Sequence, residues 1–182
     1  MAEHAADVRG RVLEVAESTY TGWYGGDRVT SSDVLFAAEG SANATIVGDL
    51  TTGDGIPDSA FDCFICTQTL QFIYDVRAAV AGTRALLAPG GVLLATLPGI
   101  SQISREDMRA WGDWWRFTAR SAERLFVETY GSENVEVRRH GNVAAAAGFL
   151  YGLAAEELDT RQLESSDADF HFLLTVRAVA PP

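Results

Sequence analysis

The chain has 182 residues, with 25 acidic side chains against 14 basic ones and a formal net charge of −11. That length fits a single domain over residues 1–182 and buries roughly 70% of the unfolded surface, so a core requires neither a disulfide nor a metal. So acidic a surface repels a phosphate backbone and argues against nucleic acid as a partner, and the absence of lysine excludes Schiff-base and lysine general-base chemistry.

The N-terminal run MAEHAADVRG lacks the basic and apolar segments of a signal peptide. No apolar run approaches the roughly 20 residues of a membrane span, so no membrane partner is expected. Residues 11–16 are too short for a helix and rich in branched side chains, which predicts a first strand. After the glycine- and aromatic-rich ESTYTGWYGG, the runs RVTSSDVL and ATIVGDL predict a second and a third. FDCFICT, apolar almost throughout as befits a strand covered on both faces, is the fourth. Alanine, valine and leucine at helical spacing predict a helix over 75–87, stopped by Pro89-Gly90-Gly91, and VLLATLP follows as the fifth strand.

Residues 101–117 hold Trp111, Trp114 and Trp115 among charged side chains and predict a short helix with a loop. Thr118 reads as the N-cap of a helix that places Ala122, Leu125, Phe126 and Thr129 on one face and stops at Gly131. NVEVRRH predicts a sixth strand, 142–158 a small-residue helix, and FHFLLTVRAVA a long closing strand. Cys63 and Cys66, three apart in the fourth strand, point to opposite faces and cannot pair. They are expected to be buried free thiols, which fits a cytoplasmic location. Three histidines and two cysteines without ligand-like spacing predict no metal.

Alternating strands and helices imply parallel crossovers and a doubly wound α/β sheet, which binds ligands beyond the C-terminal ends of its strands where the strand order reverses. The candidate segments are 16–24, 33–35, 49–50 and 67–72.

Four pieces in fixed order, VGDL, IPDSAFDCFICTQTLQFIYD, ALLAPGGVLLATLPG and WRFTARSAERLF, resemble motifs of the class I S-adenosylmethionine-dependent methyltransferases, in their type 11 branch. The resemblance implies a Rossmann-like, seven-stranded sheet whose last strand is antiparallel. It also implies S-adenosyl-L-methionine as cofactor and methyl transfer to a small-molecule acceptor, a sugar or other hydroxylated metabolite of a biosynthetic pathway. Carried over residue by residue, it places Glu14 and Ala16 in the first-strand motif. Asp33 falls where the ribose-binding acid sits, with Val34 beside it. Asp49 falls at the adenine-side acid, with Leu50 beside the ring. Thr67 and Gln68 lie near the amino acid moiety or the methyl, and Tyr20 either packs on the adenine or fills the space of a missing helix. Asp113, Trp114, Trp115 and Arg116 fall where the family contacts its substrate. His140 and His171 are the candidate general bases, since a hydroxyl acceptor needs one.

Two departures stand out. The family's acid-x-Gly-x-Gly reads Glu14-Val15-Ala16-Glu17-Ser18 here, without glycine, and there is little room for helices after the first and second strands. The alternative is therefore a methyltransferase fold without cofactor binding, acting as an auxiliary or oligomeric partner, and the thin cover over 17–45 points to a homodimer. A nicotinamide oxidoreductase would share the sheet but lacks its G-x-G-x-x-G.

Overall fold

A computed structural model describes residues 1–167 and 169–182. Its apolar runs form one seven-stranded sheet: β1 (Gly10–Val15), β2 (Val29–Phe36), β3 (Ile46–Val47), β4 (Phe61–Thr67), β5 (Leu87–Pro98), β6 (Val135–His140) and β7 (Leu173–Val179). The order is β3-β2-β1-β4-β5-β7-β6, with β7 antiparallel to both its neighbours. This is the expected Rossmann-like sheet with an antiparallel last strand. The order reverses between β1 and β4, so their C-terminal ends frame the crevice where such sheets bind ligands.

The two faces are covered unequally. On one lie α2 (Val76–Ala85) and α4 (Ala119–Tyr130), burying Phe64, Leu93, Leu97, Phe126 and Tyr130 in the main core. Each helix starts on a side chain that satisfies its first amides: Asp75 accepts from Ala78 N in α2, and Thr118 and Ser121 form a capping box in α4. Gly82 lets α2 lie directly on the backbone of Leu50, where a β-carbon would meet the carbonyl oxygen at 1.8 Å.

The other face carries a short 3-10 segment kinked at His4 (Ala2–Asp7) and α1 (Thr19–Tyr24). The core beneath them is Val8, Val12, Cys63, Ile65, Val92 and Leu94, with Tyr20 and Tyr24 packed on top. Ion pairs tie the N-terminal segment across the sheet, Asp7 to Arg177 on β7 and Glu3 to Arg138 on β6.

The two thiols fall on these opposite faces as the strand period requires. Burial pushes each up to about 12.

Several elements differ in extent from the sequence expectation. The third strand is two residues long, because residues 48–60 turn back toward β4 instead of extending the ladder. Pro89-Gly90-Gly91 does not separate helix from strand; it lies inside β5, where the pairing with β4 shifts register and Gly90 N and Gly91 O bond Ala180. The helix predicted over 142–158 is α5 (Val143–Tyr151), ended by left-handed Gly152. The closing strand starts at Leu173, since Phe170 is outside the ladder and residues 171–172 bond the ends of β5 and β6 individually.

Candidate active site

The connection leaving β1 sits at the reversal point. Glu14 is 1% exposed, and its two oxygens accept from Tyr20 N (3.0 Å), Thr21 N (2.8 Å) and Thr21 Oγ1 (2.7 Å). A buried carboxylate requires such partners, and here they are the opening amides of α1, so Glu14 latches that helix to the strand tip. The latch uses both carboxylate oxygens.

Ala16 follows at φ 69°. This is the left-handed region where an alanine β-carbon costs about 1–2 kcal/mol, and it is the position of the motif's first glycine. The glycine is gone, but the turn it served is kept, fixed by the Ala16 N to Leu35 O bond of 3.0 Å. Tyr20 fills the second core beside Tyr24, its ring 6.4 Å away and nearly parallel.

Asp33 and Val34 are not at a strand tip. β2 runs three residues past Asp33 to Phe36, and Asp33 pairs across the sheet with Leu13. Its carboxylate binds Arg11 (2.9 Å) and Thr45 Oγ1 (2.9 Å), closing the second connection against the sheet. Val34 is 7% exposed and donates its amide to Thr45 Oγ1. The acid that lies beyond the β2 tip is exposed Glu39, missed in the sequence because VTSSD imitates the family spacing while the strand continues.

Asp49, two residues past β3, is exposed; one oxygen accepts from Thr51 N and Oγ1 (both 2.7 Å) in a turn, and its other oxygen points to no protein partner among the described residues. The Leu50 side chain is 6% exposed and belongs to the main core, so it does not lie free at the rim.

At the end of β4, Thr67 closes the strand and Gln68 turns sharply with φ 46°. Gln68 bonds Thr96 at the end of β5 through its amide nitrogen (3.0 Å) and side chain (3.3 Å). Gln71, 4% exposed, donates Nε2 to Gln68 O (2.8 Å), while its Oε1 is buried without a partner.

The tryptophan segment arches over this edge as a lid: α3 (Arg105–Ala110) and the loop to Thr118. Trp114 N bonds Gln71 O (2.9 Å), and Trp115 Nε1 bonds Ile73 O (3.0 Å). Trp115 packs on the core, whereas Trp111 and Trp114 are about half exposed. The Asp113 side chain is 2% exposed and its carboxylate serves Arg116 and Ser104 N, so it staples the lid internally and does not face a ligand. The Arg116 guanidinium holds the Asp113 carboxyl below its ordinary range.

The two histidines separate. His140 projects onto the sheet and bonds Thr175 Oγ1 (2.9 Å), two strands away from β5, and loss of solvation lowers its pKa. His171 sits beside the end of β5, where Gly99 leaves room for its ring; a β-carbon there would lie 2.9 Å from Cδ2. Its Nε2 faces Phe117 O at 3.2 Å. A carbonyl only accepts, so in the neutral ring Nε2 holds the hydrogen and Nδ1 keeps the lone pair. Nδ1 is buried without a partner among the described residues. Among those residues no metal-binding group of side chains occurs, and no helix is long and apolar enough to cross a membrane.

A family model described as a methyltransferase domain matches residues 9–95. No curated protein sequence matches the chain. Among solved structures, an S-adenosylmethionine-dependent methyltransferase from Mesorhizobium loti is 18% identical, with 95% of this chain and 92% of that one covered and a TM-score of 0.60. The N-methyltransferase NodS from Bradyrhizobium japonicum, in complex with S-adenosyl-L-homocysteine, is 14% identical over 100% of this chain and 86% of its own, with a TM-score of 0.57. Phosphoethanolamine N-methyltransferase 2 from Haemonchus contortus, solved with phosphomonomethylethanolamine and S-adenosylhomocysteine, is 14% identical; 96% of this chain is covered but only 49% of that one, with a TM-score of 0.60. The domain match covers just under half of the chain, and the strand order gives the whole chain the fold of these S-adenosylmethionine-dependent methyltransferases.

Proposed function

We propose that the chain methylates a small-molecule acceptor, a sugar or other hydroxylated metabolite, as a single catalytic domain over residues 1–182. The observation that carries this reading is Ala16, which holds a left-handed turn at the strand-order reversal although the glycine that would hold it without strain is missing. A strained turn persists where the surrounding structure demands it, and such turns gather at ligand sites.

The residues present fit S-adenosyl-L-methionine. The β1 loop offers backbone at the crevice, and Glu39 and Asp49 offer exposed carboxylates past β2 and β3 for hydroxyl and amino groups. Thr67 and Gln68 border the end of β4. When bound, the cofactor would supply a sulfonium-activated methyl for transfer to the acceptor oxygen. His171 Nδ1 is the group proposed to take the hydroxyl proton, and the lid holding Trp114, Trp115 and Arg116 to position the acceptor and exclude water. The reading includes a cytoplasmic location and a homodimer. The dimer is supported by α5, whose VAAAAGFLY is apolar all round yet leaves Val143, Leu150 and Tyr151 exposed.

Calorimetry with S-adenosylmethionine and S-adenosylhomocysteine tests it. Binding is expected to weaken in Glu39→Ala and Asp49→Ala while both variants stay folded. A wild-type chain that binds neither compound at millimolar concentration would be the auxiliary protein of the alternative reading.

A further inference from the structure

The segments leaving β4 and β5 converge between the first turns of α2 and α4, and there they enclose a groove of about 720 Å³. One wall is aromatic. Tyr74, 69% exposed, lies 6.1 Å from Trp115 at an interplanar angle of 26°, and the Nε1 bond to Ile73 O fixes the Trp115 ring. The pair makes a flat, rigid surface on which a ring can stack.

Three of the four charged side chains in the lining are cationic, the fourth being Asp75, which is unusual for a chain of charge −11. The three are Arg77, Arg116 and Arg124. Arg77 and Arg124 lean on the single carboxylate of Glu128, and their side chains remain 66% and 74% exposed. A guanidinium has five N–H donors, so one shared carboxylate leaves most of them open. Arg116 is different: its terminal nitrogens serve Asp113, Trp115 O and Gln102 O, while its Nε is buried with no acceptor among the described residues. A buried donor left unpaired costs about 1–3 kcal/mol, which an acceptor oxygen in the groove would remove. The helix ends add little, because Asp75 and the Thr118–Ser121 box already occupy their first amides.

We propose that this groove holds the methyl acceptor, and that the acceptor is a planar ring carrying an anionic group, such as a hydroxylated aromatic carboxylate. The ring lies against Tyr74 and Trp115, and the anion is met by Arg77 and Arg124. This assignment rests on the methyltransferase reading above.

The probe is 4-hydroxybenzoate, compared with its neutral analogue 4-hydroxybenzamide and followed by the indole N–H signal of Trp115 in the full chain. Saturable binding of the benzoate is expected, with the amide weaker by about tenfold, the difference between a charge-assisted and a neutral hydrogen bond. Arg77→Ala with Arg124→Ala should abolish that preference, and Tyr74→Ala should weaken both compounds alike; all three side chains are exposed, so the variants keep the fold. Equal affinity for acid and amide, or no saturable binding of the acid, overturns the assignment. Calorimetry with S-adenosylhomocysteine on the same preparation separates the two readings. Benzoate binding without cofactor binding rejects the methyltransferase and leaves the ligand class of the groove standing; cofactor binding without benzoate binding does the reverse.

Discussion

On one face of the sheet, α2 and α4 press Val80, Phe126 and Tyr130 onto Phe64, Leu93 and Leu97; on the other, six residues of α1 and a short N-terminal turn rest on a core of six buried side chains. The first face is held by apolar area, which scales with the number of buried carbons. The second lacks that area because the connections after β1 and β2 are short, and it substitutes directed bonds. Glu14 grips the start of α1, and Asp7 and Glu3 grip β7 and β6. The comparison teaches that a fold can lose most of one helical layer if individual carboxylates take over its work at the points where the chain must turn.

The largest effect is expected on the thick face. Phe126→Ala should lower the unfolding free energy by about 3–5 kcal/mol in a denaturant titration, because its cavity lies among fully buried neighbours. On the thin face, Glu14→Ala should cost about 2–3 kcal/mol by stranding two amides and a hydroxyl. Its hydrogen exchange should rise mainly in residues 19–24. If Glu14→Ala proves neutral, the substitution of directed bonds for area is wrong.

Ala16→Gly should raise stability by about 0.5–1 kcal/mol, since relief of the left-handed strain outweighs the freer unfolded chain. It should also sharpen cofactor binding if the loop lies against it.

The smallest effect concerns the lid. Asp113 has its carboxyl lowered from the ordinary 3.8, chiefly by its hydrogen bonds to Arg116. A carboxyl lowered on folding stabilises fully above its unfolded value, and that contribution is lost as pH falls through the folded one. Tryptophan fluorescence should therefore stay level from neutrality to about pH 5 and shift only below 3.8, and Asp113→Asn should remove that shift.

The same contrast explains what the sequence disclosed. The thick half was legible because FDCFICT and VLLATLP are continuous apolar runs and the helix opened by Thr118 repeats at helical spacing through Phe126. The doubly wound sheet followed from alternation, and its seven strands with an antiparallel last one from the family resemblance. The thin half was not, because its contacts are single polar bonds without a period. Nothing in RVTSSDVL says that the strand runs on past Asp33 to Phe36, which carries the tip acid to Glu39. Glu14 was readable as a buried acid in need of a partner, but which partner depends on how α1 folds back. His171 is decided by a carbonyl 54 residues earlier, a contact that local spacing cannot encode.

The two cysteines turn this asymmetry into something that can be timed. Cys63 lies under the thin layer and Cys66 under the thick one, both sealed and with thiols raised to about 12. Neither can be alkylated until its own layer lifts. The chain thus carries two internal clocks, one per layer, and mass spectrometry of alkylation in single-thiol variants would read how often each layer opens.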